Sequence, residues 1–179
     1  MIFREKTLKS EMIYRGRILN LRRDTVTVKN GTSTREIVEH HGGAVIAAVT
    51  AEGRIIMVRQ FRKPVERVVL EVPAGKREEG EDPRETAVRE LKEETGYTAG
   101  SMELLTAMET SVGYTTEVLY VYLATDLVPG ETAFDENEAL DIVDFDLDVM
   151  YDKAVRGELR DAKTIVAVTL AKARLAARK

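Results

Sequence analysis

The chain has 179 residues, 27 basic and 31 acidic side chains, a formal charge of −4 and no cysteine. A chain of roughly 150 residues or more buries about 70% of its unfolded surface, so one domain needs no staple, and the missing cysteines exclude a disulfide framework, a zinc ribbon and a thiol nucleophile. The composition, 44% hydrophobic and 32% charged with 12 Gly and 4 Pro, is that of a globular protein, and the longest stretch free of Asp, Glu, Lys and Arg, residues 40–51, is too short to span a membrane.

Over residues 21–39 apolar and polar residues alternate, with Val26 and Val28 before Asn30-Gly31 and Ile37 after it. This predicts a hairpin, because a type I′ turn needs positive φ at both central positions. A second hairpin is expected at Glu52-Gly53, between the apolar runs 44–49 and 55–58. Residues 68–72 read as a buried strand that Pro73-Ala74-Gly75 breaks. A helix follows, with Asp82 as N-cap, Pro83 at its first position, Glu85 as capping-box partner and Gly96 as its stop. Strands fit 104–107, 118–124 and 139–145, a short helix 147–156, and a last helix 161–178 whose basic C-terminal end suits the macrodipole. No repeat, low-complexity segment or linker divides the chain. Strands around a mid-chain helix, with helices at the end, predict an α/β sandwich with a mixed sheet.

Charge is unevenly placed. Residues 1–70 carry 14 basic and 7 acidic side chains, a net of +7, residues 71–161 carry 8 and 24, a net of −16, and 162–179 add +5. With a pI of 5.4 and concentrated acids, the pattern argues against a nucleic-acid partner. On the helix after Asp82, Glu93 and Glu94 lie roughly −60° and +40° from Glu90, beside a core stripe of Ala87, Val88 and Leu91. Like charges at these spacings repel by a few tenths of a kcal/mol per pair. Hard divalent cations compensate such a face, and Mg²⁺ binds through a few carboxylates, waters and substrate phosphates.

Gly75, Glu81 and the run Arg89-Glu90-Leu91-Lys92-Glu93-Glu94-Thr95-Gly96-Tyr97 stand at the spacing of the Nudix box, with Tyr97 where an aliphatic residue is usual. The chain thus resembles the Nudix hydrolases, which act on nucleoside diphosphates linked to another group. The resemblance implies a Nudix-type α/β/α sandwich with a mixed β-sheet and an N-terminal β-hairpin region. It also implies Glu90, Glu94 and the Ala74 carbonyl as Mg²⁺ ligands (Mn²⁺ a possible substitute), with Glu93 near the cluster. Arg89 is expected to hold a box carboxylate by ion pair, and Gly75, Glu81 and Gly96 to be structural.

Arg35-Glu36-Ile37-Val38-Glu39-His40, Val58-Arg59-Gln60-Phe61-Arg62, Leu70-Glu71-Val72-Pro73-Ala74-Gly75 and Asp161-Ala162-Lys163-Thr164 extend the resemblance to the ADP-ribose pyrophosphatase branch. That branch implies substrate contacts from Arg35 and Arg62, whose guanidinium forks suit a pyrophosphate. In Ser111-Val112-Gly113-Tyr114-Thr115-Thr116-Glu117, Val112 replaces the branch's proline, and Glu117 is a candidate ligand of the metal or the sugar. Tyr14 is the nearest candidate for the aromatic residue that meets adenine. The acidic run Asp135-Glu136-Asn137-Glu138 resembles the branch's mobile loop, with Glu136 as general base, Glu138 as a supplementary metal ligand and Glu93 as the rival base. His40-His41 read as strand-end residues rather than a metal site.

The resemblance further implies a homodimer whose N-terminal strands (residues 1–40) take part in dimerisation and substrate contacts, with residues 41–179 as the Nudix hydrolase domain. The expected activity is Mg²⁺-dependent hydrolysis of the pyrophosphate bond of ADP-ribose or a related nucleoside diphosphate sugar, giving a nucleoside monophosphate and a sugar phosphate. Alternatives are GDP-mannose, another dinucleotide or an oxidised nucleotide as substrate, and a non-catalytic nucleotide sensor. Residues 1–6 offer no apolar signal region, which with the missing cysteines points to the cytoplasm.

Overall fold

The computed structural model describes residues 2–132 and 139–178. They form two compact units, Met1–Gly42 with Glu109–Val118, and Gly43–Met108 with Leu119–Lys179.

The first unit is an antiparallel sheet in the order β1 (Thr7–Arg15), β2 (Asn20–Val28), β3 (Gly31–Glu39). The Asn30-Gly31 turn joins β2 to β3 as expected, and Val28 pairs with Gly31. Strand β1 was not legible: every residue in it is exposed, so it lacks the half-buried alternation that marks a strand. Asp24, buried in β2, accepts from Ser10 Oγ at 2.7 Å and Arg22 Nε at 3.0 Å. The segment 109–118 docks on β3, with Val38 N donating to Tyr114 O at 2.7 Å and Thr116 N to Val38 O at 2.9 Å.

The second unit holds a mixed sheet in the order β10 (Leu140–Asp146), β5 (Arg54–Arg62), β4 (Gly43–Val49), β9 (Val118–Val128), β8 (Thr98–Glu109). β6 (Arg67–Glu71) pairs with β5, and β7 (Ala74–Lys76) with β4. The Gly53 turn links β4 to β5 as expected. Pro73-Ala74-Gly75, by contrast, does more than break a strand: Ala74 and Gly75 pair with Val45 and Ala44. The pairing is supplied by β4 and leaves no local signature.

β4 runs parallel to β9 and antiparallel to β5, and is buried throughout. Its side chains alternate between two cores, as a strand's period of two requires. Val45, Ala47 and Val49 pack with Met57, Leu123 and residues of α2 (Leu147–Val155) and α3 (Ala162–Ala176). Ala44, Ile46 and Ala48 pack with Ile56, Tyr122 and with Ala87 and Leu91 of α1 (Pro83–Thr95). The result is an α/β/α sandwich with a mixed sheet.

Helix α1 begins where the sequence places it. Asp82 accepts from Arg84 N at 2.8 Å, Pro83 takes the first position, and Gly96, at φ 75°, caps the other end through Lys92 O at 2.8 Å. Among the described residues no hydrogen bond returns from Glu85 to Asp82, so the cap is single rather than a box. Tyr97 tucks against the Ala44–Leu91 core, filling the hydrophobic position. Among the described residues no helix is long and apolar enough to cross a membrane.

Candidate active site on the box helix

Four successive residues carry the chain from β6 into the loop before α1, and each is tied to a different element. Glu71 pairs with Val58 of β5, and Val72 N donates to Thr164 Oγ1 of α3 at 3.0 Å. Pro73 O accepts from Ile46 N of β4 at 2.9 Å, and Ala74 N donates to Glu94 Oε2 of α1 at 3.0 Å. Because Ile46 and Pro73 form a hydrogen-bonded pair, the adjacent Val45–Ala74 pair is a non-bonded one. Both the N–H and the C=O of Ala74 therefore point away from β4, toward the side where Glu94 lies. A Cβ at Gly75 would sit 1.8 Å from Glu90 Cδ, so any larger residue there would displace the Glu90 carboxylate.

Arg89 is the hub of the acidic face. Its Nε donates to Glu81 Oε1 at 3.1 Å, Nη1 to Glu90 Oε1 at 2.7 Å and Glu93 Oε2 at 2.9 Å, and Nη2 to Lys76 O and Glu81 Oε2, each at 3.2 Å. The Arg89 hydrogen bond, aided by Glu78 N–H and Thr86, lowers the Glu81 carboxyl to about 2, and Glu81 in turn raises the Arg89 guanidinium. Arg77 braces the same loop, donating to Glu81 O at 2.6 Å and lying 5.4 Å from the centre of the Tyr120 ring. Glu81, Glu90 and Glu93 share one guanidinium, which leaves negative charge in surplus before nearly buried Glu94 is counted.

Among the described residues no three His, Asp or Glu side chains are gathered into a ready metal cluster. Glu90 and Glu94 both come up against the Ala74–Gly75 turn, and with the Ala74 carbonyl they could offer a set of oxygen donors only. Such a set fits a hard divalent cation of the Mg²⁺ kind, which keeps waters and takes phosphate oxygens to complete its shell.

The other expected site residues fall in different settings. Arg62 lies in the same unit as the box, but its fork is taken by Glu71: Nε reaches Oε1 at 2.7 Å and Nη2 reaches Oε2 at 2.8 Å. Lys163 Nζ also donates to Glu71 and, at 3.0 Å, to Asp161 Oδ2. Burial alone would raise the Glu71 carboxyl, yet Arg62 and Lys163 outweigh it and the net shift is downward. Arg62 is shifted up, mainly by its Glu71 hydrogen bond, with a weaker contribution from the Glu94 charge.

Arg35 belongs to the first unit, where it donates to Glu5 and to Ser33 Oγ at 3.1 Å. Glu117, in the same unit, accepts from Thr110 Oγ1 at 2.7 Å and lies 3.3 Å from His40 Nδ1. That nitrogen also accepts from Gly42 N at 2.9 Å, so it cannot at once donate to Glu117. Tyr14 and Val112 are exposed, and Glu136 and Glu138 lie outside the described residues. Glu71, Lys163 and Thr164 stand in stretches singled out from the sequence, but nothing local assigned them a task; a carboxylate in an otherwise apolar strand end was the available signal.

A NUDIX domain model matches residues 39–166, and a model of the nucleoside diphosphate sugar hydrolase N-terminal domain matches residues 5–38. The chain is 45% identical over 170 residues to a methanol dehydrogenase activator of Bacillus methanolicus, covering 93% of this chain and 92% of that protein. It is 44% identical over 167 residues to an ADP-ribose pyrophosphatase of Bacillus subtilis, covering 92% and 90%. A crystal structure of an ADP compounds hydrolase superposes with a TM-score of 0.83 at 24% identity over 99% of this chain and 97% of the other, a likeness of fold. With its box intact and its sandwich built around that box, this chain belongs to the Nudix hydrolase family.

Proposed function

We propose that the chain hydrolyses the pyrophosphate bond of ADP-ribose, or of a related nucleoside diphosphate sugar, to a nucleoside monophosphate and a sugar phosphate. The observation that carries this reading is the meeting of Glu90 and Glu94 with the Ala74–Gly75 turn on a face where Glu81, Glu90 and Glu93 share the Arg89 guanidinium. The 44% identical ADP-ribose pyrophosphatase supports the substrate class. Glu90, Glu94 and the Ala74 carbonyl would hold Mg²⁺, or Mn²⁺ in its place. When bound, such an ion neutralises charge developing on the phosphates and lowers the pKa of a coordinated water.

The chain's own residues supply the rest. Arg89 holds Glu81, Glu90 and Glu93 on one side of the box helix and offsets part of their mutual repulsion. Arg35, Arg62 and Glu117 are the proposed substrate contacts, and Arg62 must then exchange part of its grip on Glu71 for phosphate oxygens. Lys163 keeps Glu71 paired during that exchange. Glu136 is the proposed base, because a carboxylate held ionised by a metal accepts a proton poorly; Glu138 would add a metal ligand, and Glu93 is the alternative base. Residues 1–40 are proposed to pair two copies into a cytoplasmic homodimer, consistent with the exposed Leu8, Ile13 and Tyr14 of β1; light scattering that finds only monomer would contradict it.

The decisive test follows ADP-ribose by ³¹P NMR with Mg²⁺ and with EDTA. AMP and ribose 5-phosphate should appear with Mg²⁺ alone; an untouched substrate in both would remove the reading. The methanol dehydrogenase activator at 45% identity favours a second reading, action on a partner enzyme. A rise in the rate of a methanol dehydrogenase on adding this chain would support it.

A further inference from the structure

The Asp161-Ala162-Lys163-Thr164 stretch opens α3, on the face of the sheet opposite α1, yet it reaches the loop that feeds the box. Thr164 is fully buried and its hydroxyl is committed in both senses. It donates to Asp161 Oδ2 at 2.6 Å and accepts from Val72 N at 3.0 Å. Asp161 also accepts from Thr164 N at 3.0 Å, so the hydroxyl's direction is fixed by the helix cap itself. Lys163, from the same turn, closes on buried Glu71. Only Pro73, whose φ is locked, stands between Val72 and Ala74. A displacement at Val72 is therefore passed to Ala74 with little slack, and Ala74 is the residue hydrogen-bonded to Glu94.

We propose that Thr164, through the Val72 amide, and Lys163, through Glu71, are positioning residues that set the Ala74 carbonyl against Glu94 and so set the divalent-metal affinity of the site. This rests on the metal-dependent reading above and adds to it a control point on a helix that carries no box residue. Groups that orient metal ligands from behind typically change affinity by about 10- to 100-fold when removed. A purely structural Thr164 would lower thermal stability and leave metal affinity alone.

The test titrates Mn²⁺ into the full-length protein without nucleotide, followed by electron paramagnetic resonance, well below each variant's melting temperature. Thr164→Val keeps the shape and removes the hydroxyl; it should weaken Mn²⁺ binding about tenfold or more, and raise by the same factor the metal needed for half-maximal rate. KM for ADP-ribose at saturating metal should stay within about twofold, and Thr164→Ser should restore wild-type metal affinity. Lys163→Met, with the hydroxyl intact, should shift affinity in the same direction by less, and it decides the matter if Thr164→Val does not fold. Variants that bind Mn²⁺ as tightly as wild type, whatever their melting temperature, overturn the inference while leaving the proposed function standing. A wild-type chain that binds no Mn²⁺ overturns the metal reading and this inference together.

Discussion

Arg89 and Arg62 lie in the same compact unit and each grips carboxylates with a forked guanidinium, but they do so for opposite reasons. Around Arg89 the negative charge is in excess and partly solvated: its side chain is 34% exposed, Glu93 is 38% exposed, and three carboxylates share it. Around Glu71 the carboxylate is 2% exposed and is met by two cations, Arg62 and Lys163. A buried charge needs such partners, since removing one leaves a desolvated ion. One arrangement leaves an acidic face with carboxylates in excess, and the other secures the strand end that leads toward it. On the proposed reading the unbalanced cluster receives the cation and the balanced cluster holds the strand end beside it.

The largest expected effect breaks the acidic side of this comparison. Glu94→Gln keeps shape and a hydrogen-bond acceptor for Ala74 N–H while removing a charge, so kcat should fall by orders of magnitude with the circular-dichroism spectrum unchanged. Near-normal turnover in a folded Glu94→Gln protein would contradict the assignment. Next comes the base. Glu136→Gln should lower kcat by about 10²–10⁴ with little change in metal or substrate affinity. A silent Glu136→Gln beside an inactive Glu93→Gln would move the base to the helix.

The two clusters also differ in how far the sequence discloses them. Arg89 reaches Glu81 eight residues back and Glu93 four ahead, distances that helix geometry and the box spacing fix, and α1 was legible to its caps at Asp82 and Gly96. The Gly31 and Gly53 turns were legible for the same local reason. Arg62 was singled out as a substrate contact, but its bidentate grip on Glu71 was not legible, because that partner is supplied by strand pairing, and Lys163 and Thr164 arrive from 92 residues away. β7 escaped because its pairing comes from β4 across the fold, and β1 because neither of its faces is buried. Contacts created by register and tertiary packing carry no spacing in the chain.

Two smaller effects sharpen the contrast. Glu71→Gln removes the buried charge that Arg62 and Lys163 serve, and should lower stability by roughly 1–3 kcal/mol in urea unfolding, the scale of an incompletely satisfied buried group. An unchanged midpoint would mean the balanced cluster secures nothing. Glu81 tests the other cluster by pH. Its folded carboxyl sits at about 2, against about 4.3 for an unfolded Glu. Its contribution is thus fully present above the unfolded value and is lost as pH falls through the folded one. Glu81→Gln should melt below wild type at pH 7, and the gap should shrink as pH falls from about 4.3 toward 2; a gap constant with pH would contradict the assignment.

The central claim, a metal-dependent pyrophosphohydrolase of nucleoside diphosphate sugars, is tested most directly by kcat/KM with Mg²⁺ across ADP-ribose, GDP-mannose, a dinucleotide and a nucleoside triphosphate. Val112, standing where the related branch has a proline, makes this comparison informative, because the box fixes the chemistry and leaves the leaving group open. The account predicts that ADP-ribose or another sugar diphosphate leads the panel. A nucleoside triphosphate ahead of every sugar diphosphate by tenfold or more would contradict it.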